Sequence, residues 1–360
     1  MWQCHRNQCT RDEIPHVITI LPVSGGSFPS QLAMMKILLS IDFKCDIFLA
    51  ASGGNVATYL CHAGHWTLSG MNQVIGMMTT EIFVKPWNSF SVINLAMVYF
   101  QGSLYKKGDG CGELLHTFLT PSLMGTKEIW TGTYNTSVHK PQIFCNRSLA
   151  TTILPVASLD IESLQILPPV YCDNDIDRIA PVVSASASIP GLVSGQYIDG
   201  DLHVDGGMGA SSPFILLQDA VYQIAKQWKS LHLYYLGGCD LNAKVNATPD
   251  DVNLVDNMHQ SISNMIRTML LNDRSSVIQL LKRLKGSHQS EASDHITITD
   301  HPLTTHHLYS TMREQLLYDY TVIEIYPLIY REVDITSFTS SDIHHHIETI
   351  TPHLHYRFYR

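Results

Sequence analysis

No run of about 18 or more apolar residues occurs in this chain, so no membrane-spanning helix is expected. Charge is scarce as well. Asp, Glu, Lys and Arg make up 15% of the residues, against 45% hydrophobic. That balance excludes a disordered chain and leaves enough apolar material for a large core. A basic patch is also lacking. The net charge is −9, and a nucleic-acid binder would carry a basic face. The acidic balance removes any default attraction to anionic membrane surfaces. Lipid contact would have to come from apolar side chains or from a local cluster such as Lys282, Arg283 and Lys285. Eight cysteines are present, but no CxxC pair. They read as reduced thiols of a cytosol-like compartment, not as a disulfide framework. The start, MWQCHRNQCTRDE, has no apolar signal core. The expected location is cytoplasmic, with peripheral contact at membranes. Sequons at Asn135, Asn146 and Asn246 carry no meaning without secretion. Internal repeats and long linkers are absent too, and 360 residues allow one large domain or two.

What is present begins with DIFLAASGGNVATYL, residues 46 to 60. An apolar run, Ile47 to Ala51, ends at Ser52, and Gly53 and Gly54 open a helix-like segment. Strand, sharp turn and helix with a serine at the apex is the pattern of a nucleophile elbow, which lifts a hydroxyl toward a substrate. Such a turn crowds its neighbours, and Ala50, Ala51, Gly53 and Gly54 are all small. A glycine-rich strand-to-helix turn that only allows close backbone approach has the same local pattern.

The same alternation precedes it. His16 to Val23 reads as a buried strand, Ser24 to Ser27 (SGGS) as a turn, and Pro29 to Leu39 as a helix with proline in its first turn. Cys45 to Ala51 is a second strand, and Asn55 to Trp66 a second helix. Alternating strands and helices predict a doubly wound, mainly parallel α/β sheet, with sites at the C-terminal ends of its strands. Residues 67 to 125 read as mainly helical, with WNSFSVINLAMVYF (87 to 100) as a buried helix or, less favoured, a lid. Strands follow at 129–134 and 142–145, then a small-residue helix at Ile179–Ile189 stopped by Pro190 and Gly191. Tyr197 to Asp205 holds two Asp-Gly turns around a short strand. An amphipathic helix (Phe214–Trp228), a strand (Leu231–Leu236), a charged helix (Val252–Lys285) and a last strand (Thr321–Ile325) complete the pattern. The tail carries His344, His345, His346, His353 and His355. It reads as a solvated helical end, since no Cys or carboxylate cluster completes a metal site.

A serine hydroxyl needs a base. Histidine is the usual one, and the chain has nineteen, but none sits in a motif that marks it. Asp205, in YIDGDLHVDGGMGASSP, is the better candidate, because Gly206 and Gly207 would let its backbone approach another loop. A carboxylate desolvated beside a serine gains basicity. Asp199, in the neighbouring Asp-Gly, is its rival, and either could be a plain turn residue. Donors for an oxyanion could come from the backbone amides of Gly25, Gly26 and Ser27, beside a helix N-terminus. A phosphate cradle ranks lower, because GGSFPS lacks the Lys of a nucleotide loop and the third Gly of a dinucleotide fingerprint.

A glycine-rich turn after the first strand, a serine elbow after the second and a late Asp-Gly-Gly, in that order, resemble the patatin-like phospholipases. SLYKKGDGCGELLHTFL (103 to 119) is similar to the family's segment before its central strand, and SASASIPGLVSGQYIDGDLHVDGG (184 to 207) to its approach to the aspartate. The likeness covers about residues 16 to 240. It implies a three-layer α/β/α sandwich with a mainly parallel central sheet. It also implies a Ser–Asp dyad without histidine, with Ser52 matching the nucleophile, Asp205 the activating carboxylate, and Gly25, Gly26 and Ser27 the oxyanion turn. The family's oxyanion turn usually reads Gly-Gly-Gly-x-Arg/Lys-Gly. Here Ser27 stands for a glycine, and Pro29 and Ser30 stand for the basic residue and the final glycine. The elbow opens with Ala50 in place of the usual glycine.

The implied activity is hydrolysis of fatty acyl esters in phospholipids or other lipids through an acyl-enzyme, a phospholipase A-type serine esterase reaction. Alternatives are a lipid acyltransferase, or an inactive lipid-binding module. Neither metal nor cofactor is needed. The implied partner is an acyl-lipid substrate met at a membrane surface, and no nucleic acid. The expected organisation is an N-terminal extension (1–15), a catalytic domain (16–240) and a helical extension packed on it (241–360).

Overall fold

The computed structural model of the chain describes residues 16–82, 84–85, 103–107, 110–156, 159–238, 254–286, 296–329, 333 and 337–360. Five strands form its centre. β1 (Val17–Leu21) lies between β2 (Ile47–Ala51) and β11 (Leu231–Leu236), with β5 (Glu128–Asn135) beyond β2 and β13 (Tyr320–Pro327) beyond β11. All four of these pairings are parallel. These strands read as continuous apolar runs because both faces of the sheet are covered. β1, β2, β11 and β13 are buried along nearly their whole length.

Alternate side chains divide between the faces. Phe48 and Ala50 join one cluster, while Ile47 and Leu49 join another with Ile18 and Ile20. The first face is covered by α1 (Phe28–Ser40), α2 (Ser52–Ala63), α3 (Leu68–Gly76), α4 (Gly110–Phe118) and α5 (Ile176–Ser186). The second is covered by α6 (Pro213–Trp228) and α7 (Leu254–Gly286), through residues such as Phe214, Leu217, Val221, Val277 and Leu281. The result is the expected α/β/α sandwich with a mostly parallel sheet.

Antiparallel strands finish both edges. On one side β10 (Asp201–Asp205) pairs with β5 and with β9 (Gln196–Ile198). β6 (Lys140–Cys145) pairs with β5, and with β7 (Val170–Tyr171) in parallel. On the other side β14 (Leu354–Tyr359) lies between β13 and β12 (Ile298–Pro302).

Two expectations need correction, and a third needs an addition. The stretch 67–125 is mainly helical among the described residues, as expected, but it also contributes two strands. β3 (Val84–Lys85) and β4 (Ser103–Lys107) build a second, three-stranded sheet with β8 (Gly191–Val193). The helix expected at 87–100 lies outside the described residues. The part after residue 240 is not a helical extension alone, since it adds β12, β13 and β14 to the main sheet. An apolar edge on β11 has to be covered, and a strand is the partner that satisfies its backbone groups. The tail is likewise not a wholly solvated end. After α8 (Thr305–Gln315), α9 (Ser340–Ile350) buries Ile343, His346, Ile347 and Ile350 against α1, and β14 buries Tyr356 and Phe358. Among the described residues no group of His, Cys, Asp and Glu could hold a metal ion. None of the described helices is long and apolar enough to cross a membrane. The described cysteines (Cys45, Cys61, Cys111, Cys145 and Cys172) are all free and buried.

Candidate active site

β2 ends at Ala51 in extended conformation, and the next residue turns sharply. Ser52 has φ +53, a left-handed value rare for a residue with a side chain. It is also the first residue of α2. The strained backbone of an elbow is therefore present at the serine itself. Small residues are required around it for steric reasons. A Cβ on Gly53 would lie 2.4 Å from Ser24 Oγ and 2.8 Å from the Gly25 carbonyl, and one on Gly54 2.2 Å from the Leu21 carbonyl. The start of α2 is thus pressed against the end of β1 and the turn that follows it.

Asp205 arrives from the opposite direction. β9 and β10 form a hairpin around Asp199 (φ +52) and Gly200 (φ +92), a two-residue turn with both central residues left-handed. Asp199, the rival carboxylate, is exposed at that turn. β10 then runs beside β5 and delivers Asp205 at its other end. Ser52 Oγ donates to Asp205 Oδ2 at 2.7 Å. The other carboxylate oxygen, Oδ1, accepts from the Gly207 amide at 2.7 Å. Ser52 is 4% exposed and Asp205 5%. Burial pushes the Asp205 carboxyl up to about 7, against the opposing pull of the Ser52 and Gly207 hydrogen bonds. Among the described residues no histidine hydrogen-bonds either group.

The glycine turn lies against the elbow. Gly25–Ser27 form a single 3₁₀ turn, with Gly25 at φ +51, leading straight into α1. Ser27 donates its amide to the Ser24 carbonyl at 2.9 Å. Pro29 sits in the first turn of α1, where its missing N–H costs nothing. Ser30 points to the C-terminal part of the chain, its hydroxyl 2.9 Å from His346 Nε2. Pro29 and Ser30, two of the positions that depart from the family pattern, thus serve helix initiation and packing. The N-termini of α1 and α2 converge beside Ser52, and both helix dipoles favour negative charge there.

Three contributors escaped the sequence. Gln31, buried in α1, accepts from Ser24 Oγ and donates to the Pro22 and Leu236 carbonyls, pinning the glycine turn to β1 and β11. Ser186 accepts from the Ser52 amide at 3.0 Å. Met265, Ile266 and Met269 of α7 line the pocket that contains Ser52 and Asp205, together with Val23, Ile189, Pro190, Gly207 and Met208. The sequence reads 252–285 only as a charged helix, which does not say what it covers.

A family model described as patatin-like phospholipase matches residues 24–217. That span is more than half of the chain. The chain belongs to the patatin-like phospholipase family. Membership supports lipid acyl hydrolysis in general terms, with an acyl lipid as substrate. Among solved structures, VipD from Legionella pneumophila is similar at 13% identity, covering 94% of this chain and 67% of its own, with a TM-score of 0.32. No curated protein matches. The patatin-like match begins at Ser24 and includes the glycine turn, Ser52 and Asp205, whereas α7 and β12–β14 lie beyond it.

Proposed function

We propose that this protein is a serine lipid acyl hydrolase of phospholipase A type, working through a Ser52–Asp205 dyad and an acyl-enzyme. The observation that carries this reading is the 2.7 Å hydrogen bond from Ser52 Oγ to Asp205 Oδ2, made by a serine with φ +53 at a helix N-terminus.

The ionised Asp205 carboxylate takes the Ser52 Oγ proton as Oγ bonds to the ester carbonyl carbon. Negative charge gathers on the carbonyl oxygen. The Gly25 and Gly26 amides are its donors, since the Ser27 amide is taken up by Ser24. Collapse breaks the ester bond, and the leaving alcohol takes the proton from Asp205. Water then attacks the acyl-enzyme and gives its proton to Asp205. The fatty acid departs as Ser52 Oγ regains a proton. No metal takes part. The apolar lining from Met208, Met265, Ile266 and Met269 suits an acyl chain, which brings the substrate from a membrane surface. Residues 16–240 supply the chemistry, and the later helices cover it. We assign the protein to the cytoplasm, with transient contact at membranes.

Labelling of the purified chain with a fluorophosphonate serine probe tests this reading. Wild-type labelling that disappears in Ser52→Ala is expected, followed by fatty acid release from phospholipid vesicles. A folded wild type that neither labels nor releases fatty acid would leave an inactive lipid-binding module as the better reading.

A further inference from the structure

The sequence SASAS, Ser184 to Ser188, ends α5 and lies between the two halves of the Ser52–Asp205 pair. Ser186 is fully buried. Its hydroxyl donates to the Gly132 carbonyl at 2.7 Å and accepts from the Ser52 amide at 3.0 Å. Neither direction can reverse, because an amide only donates and a carbonyl only accepts. Two residues later the Ser188 carbonyl accepts from the Asp205 amide at 2.9 Å. The Ser188 side chain is occupied elsewhere, donating to the Ser184 carbonyl at 2.8 Å.

Gly132 lies opposite Ala51 across the β2–β5 pairing. Its carbonyl also faces Gly206, where a Cβ would come within 2.3 Å. One short segment therefore touches the ends of β2, β5 and β10 together. The amide of Ser52 is a first-turn donor of α2 with no partner inside its own helix. Its partner here comes from a different element, and it fixes a backbone held in a sparsely populated region.

We propose that Ser186 is a positioning residue for the Ser52–Asp205 chemistry. Its hydroxyl holds the strained Ser52 backbone in register with β5, while the Ser188 carbonyl holds Asp205 from the same turn. The pair's separation is thereby set by one rigid piece of chain. This rests on the dyad reading given above. Ser186 touches neither substrate nor a reacting atom.

The test uses the full chain with Ser186→Ala and Ser186→Cys. The thiol is slightly larger than the hydroxyl but leaves no cavity, and it is a poor hydrogen-bonding group. Thr311→Ala, which removes a buried hydroxyl 2.7 Å from Tyr356 Oη far from the site, serves as the stability control. Ser186→Ala is expected to lower the fluorophosphonate labelling rate and kcat by about ten- to a hundred-fold, as small misplacements of a reacting group do. KM should stay within about two-fold, because no substrate contact is removed. Ser186→Cys should show the same split at smaller size, and it carries the test if the alanine variant does not fold. Thr311→Ala should lose stability without the kcat loss.

Amide hydrogen exchange over Ala51–Gly54 reads the clamp without any chemistry. It should quicken by about ten-fold or more in both Ser186 variants, since opening there becomes easier. Wild-type labelling rates with unchanged Ala51–Gly54 exchange in a folded Ser186 variant would overturn the proposal. A wild type that never labels, with exchange still quickened in the variants, would remove the dyad reading and leave the clamp standing.

Discussion

Ser52 and Asp205 share a pocket wall, whereas Ser212 and Asp273 are sealed between two helices. The second pair matches the first in composition and in electrostatics. Ser212 donates to Asp273, with its Oγ 2.9 Å from Oδ2 and 3.1 Å from Oδ1. Burial pushes Asp273 up to about 7, as it does Asp205. The differences lie in the backbone and in access. Ser212 has an ordinary extended φ of −155 as the residue before α6, and Asp273 is fully buried within α7. Ser52 is left-handed, opens a helix beside a glycine turn, and borders an apolar pocket. A raised carboxylate beside a serine is thus a sign of burial. Strain, converging helix N-termini and a pocket are what separate the pair proposed to react from the structural one. The structural pair has its own role. It ties α7 to the start of α6 about one turn after Met269 and Leu270, which reach over the site.

The largest effect that would break this contrast comes from the two serines. Ser52→Ala should abolish probe labelling, a loss of at least about 10³-fold for a removed nucleophile. Ser212→Ala should label at a rate within about three-fold of wild type while losing about 1–3 kcal/mol of stability, because Asp273 is left with a lost partner. Loss of labelling in a folded Ser212→Ala would end the distinction.

The aspartates should separate almost as far. Asp205→Asn removes the base and should cost about 10²–10⁴ in labelling rate. Asp273→Asn should leave that rate within a few-fold. The labelling rate should also depend on pH. Asp205 must be ionised to accept the Ser52 proton, so the rate should rise through about pH 7 and level off above it. The same limb should persist in Asp273→Asn. A flat profile from about pH 5.5 to 9 would assign the base elsewhere.

Local spacing made much of this legible. The elbow needed only an apolar run, a serine and two glycines, and its strand and helix lie within two or three residues of where the pattern puts them. Asp205 was legible because Gly206 and Gly207 betray a close backbone approach, which a Cβ on Gly206 confirms by falling 2.3 Å from the Gly132 carbonyl. What stayed hidden depends on contacts between residues far apart in sequence. Gln31 reaches Leu236, Ser186 reaches Ser52, and β13 pairs with β11 through Leu231 and Tyr320. A polar residue in an apolar helix gives no hint of its partner. His346 of the tail was misjudged for the same reason, since it is buried where α9 packs on α1, whereas His345 and His353 are exposed as expected.

Stability against pH gives the smallest and sharpest contrast. Both aspartates have folded-state pKa values near 7, above the ordinary value of 3.8. Between about pH 4 and 7 these two carboxyls hold more protons in the folded chain than in the unfolded one, so their contribution to stability falls as pH rises through that window, while buried His62, whose pKa is lowered to about 3, pulls the other way. Each carboxyl contributes at most a few kcal/mol, since raising a pKa by one is worth about 1.4 kcal/mol. Asp273→Asn keeps the shape and an acceptor for Ser212, but its amide cannot ionise. The variant should come nearest to wild type at about pH 4 and exceed it near pH 8, so that the difference between the two widens with pH while the labelling limb stays where it was. Urea midpoints at the two pH values, read beside labelling rates, measure both quantities on one preparation. Equal slopes in variant and wild type would mean that Asp273 does not resist ionisation. The likeness between the two pairs would then reduce to composition alone, and the raised Asp205 would stand as a property of the pocket.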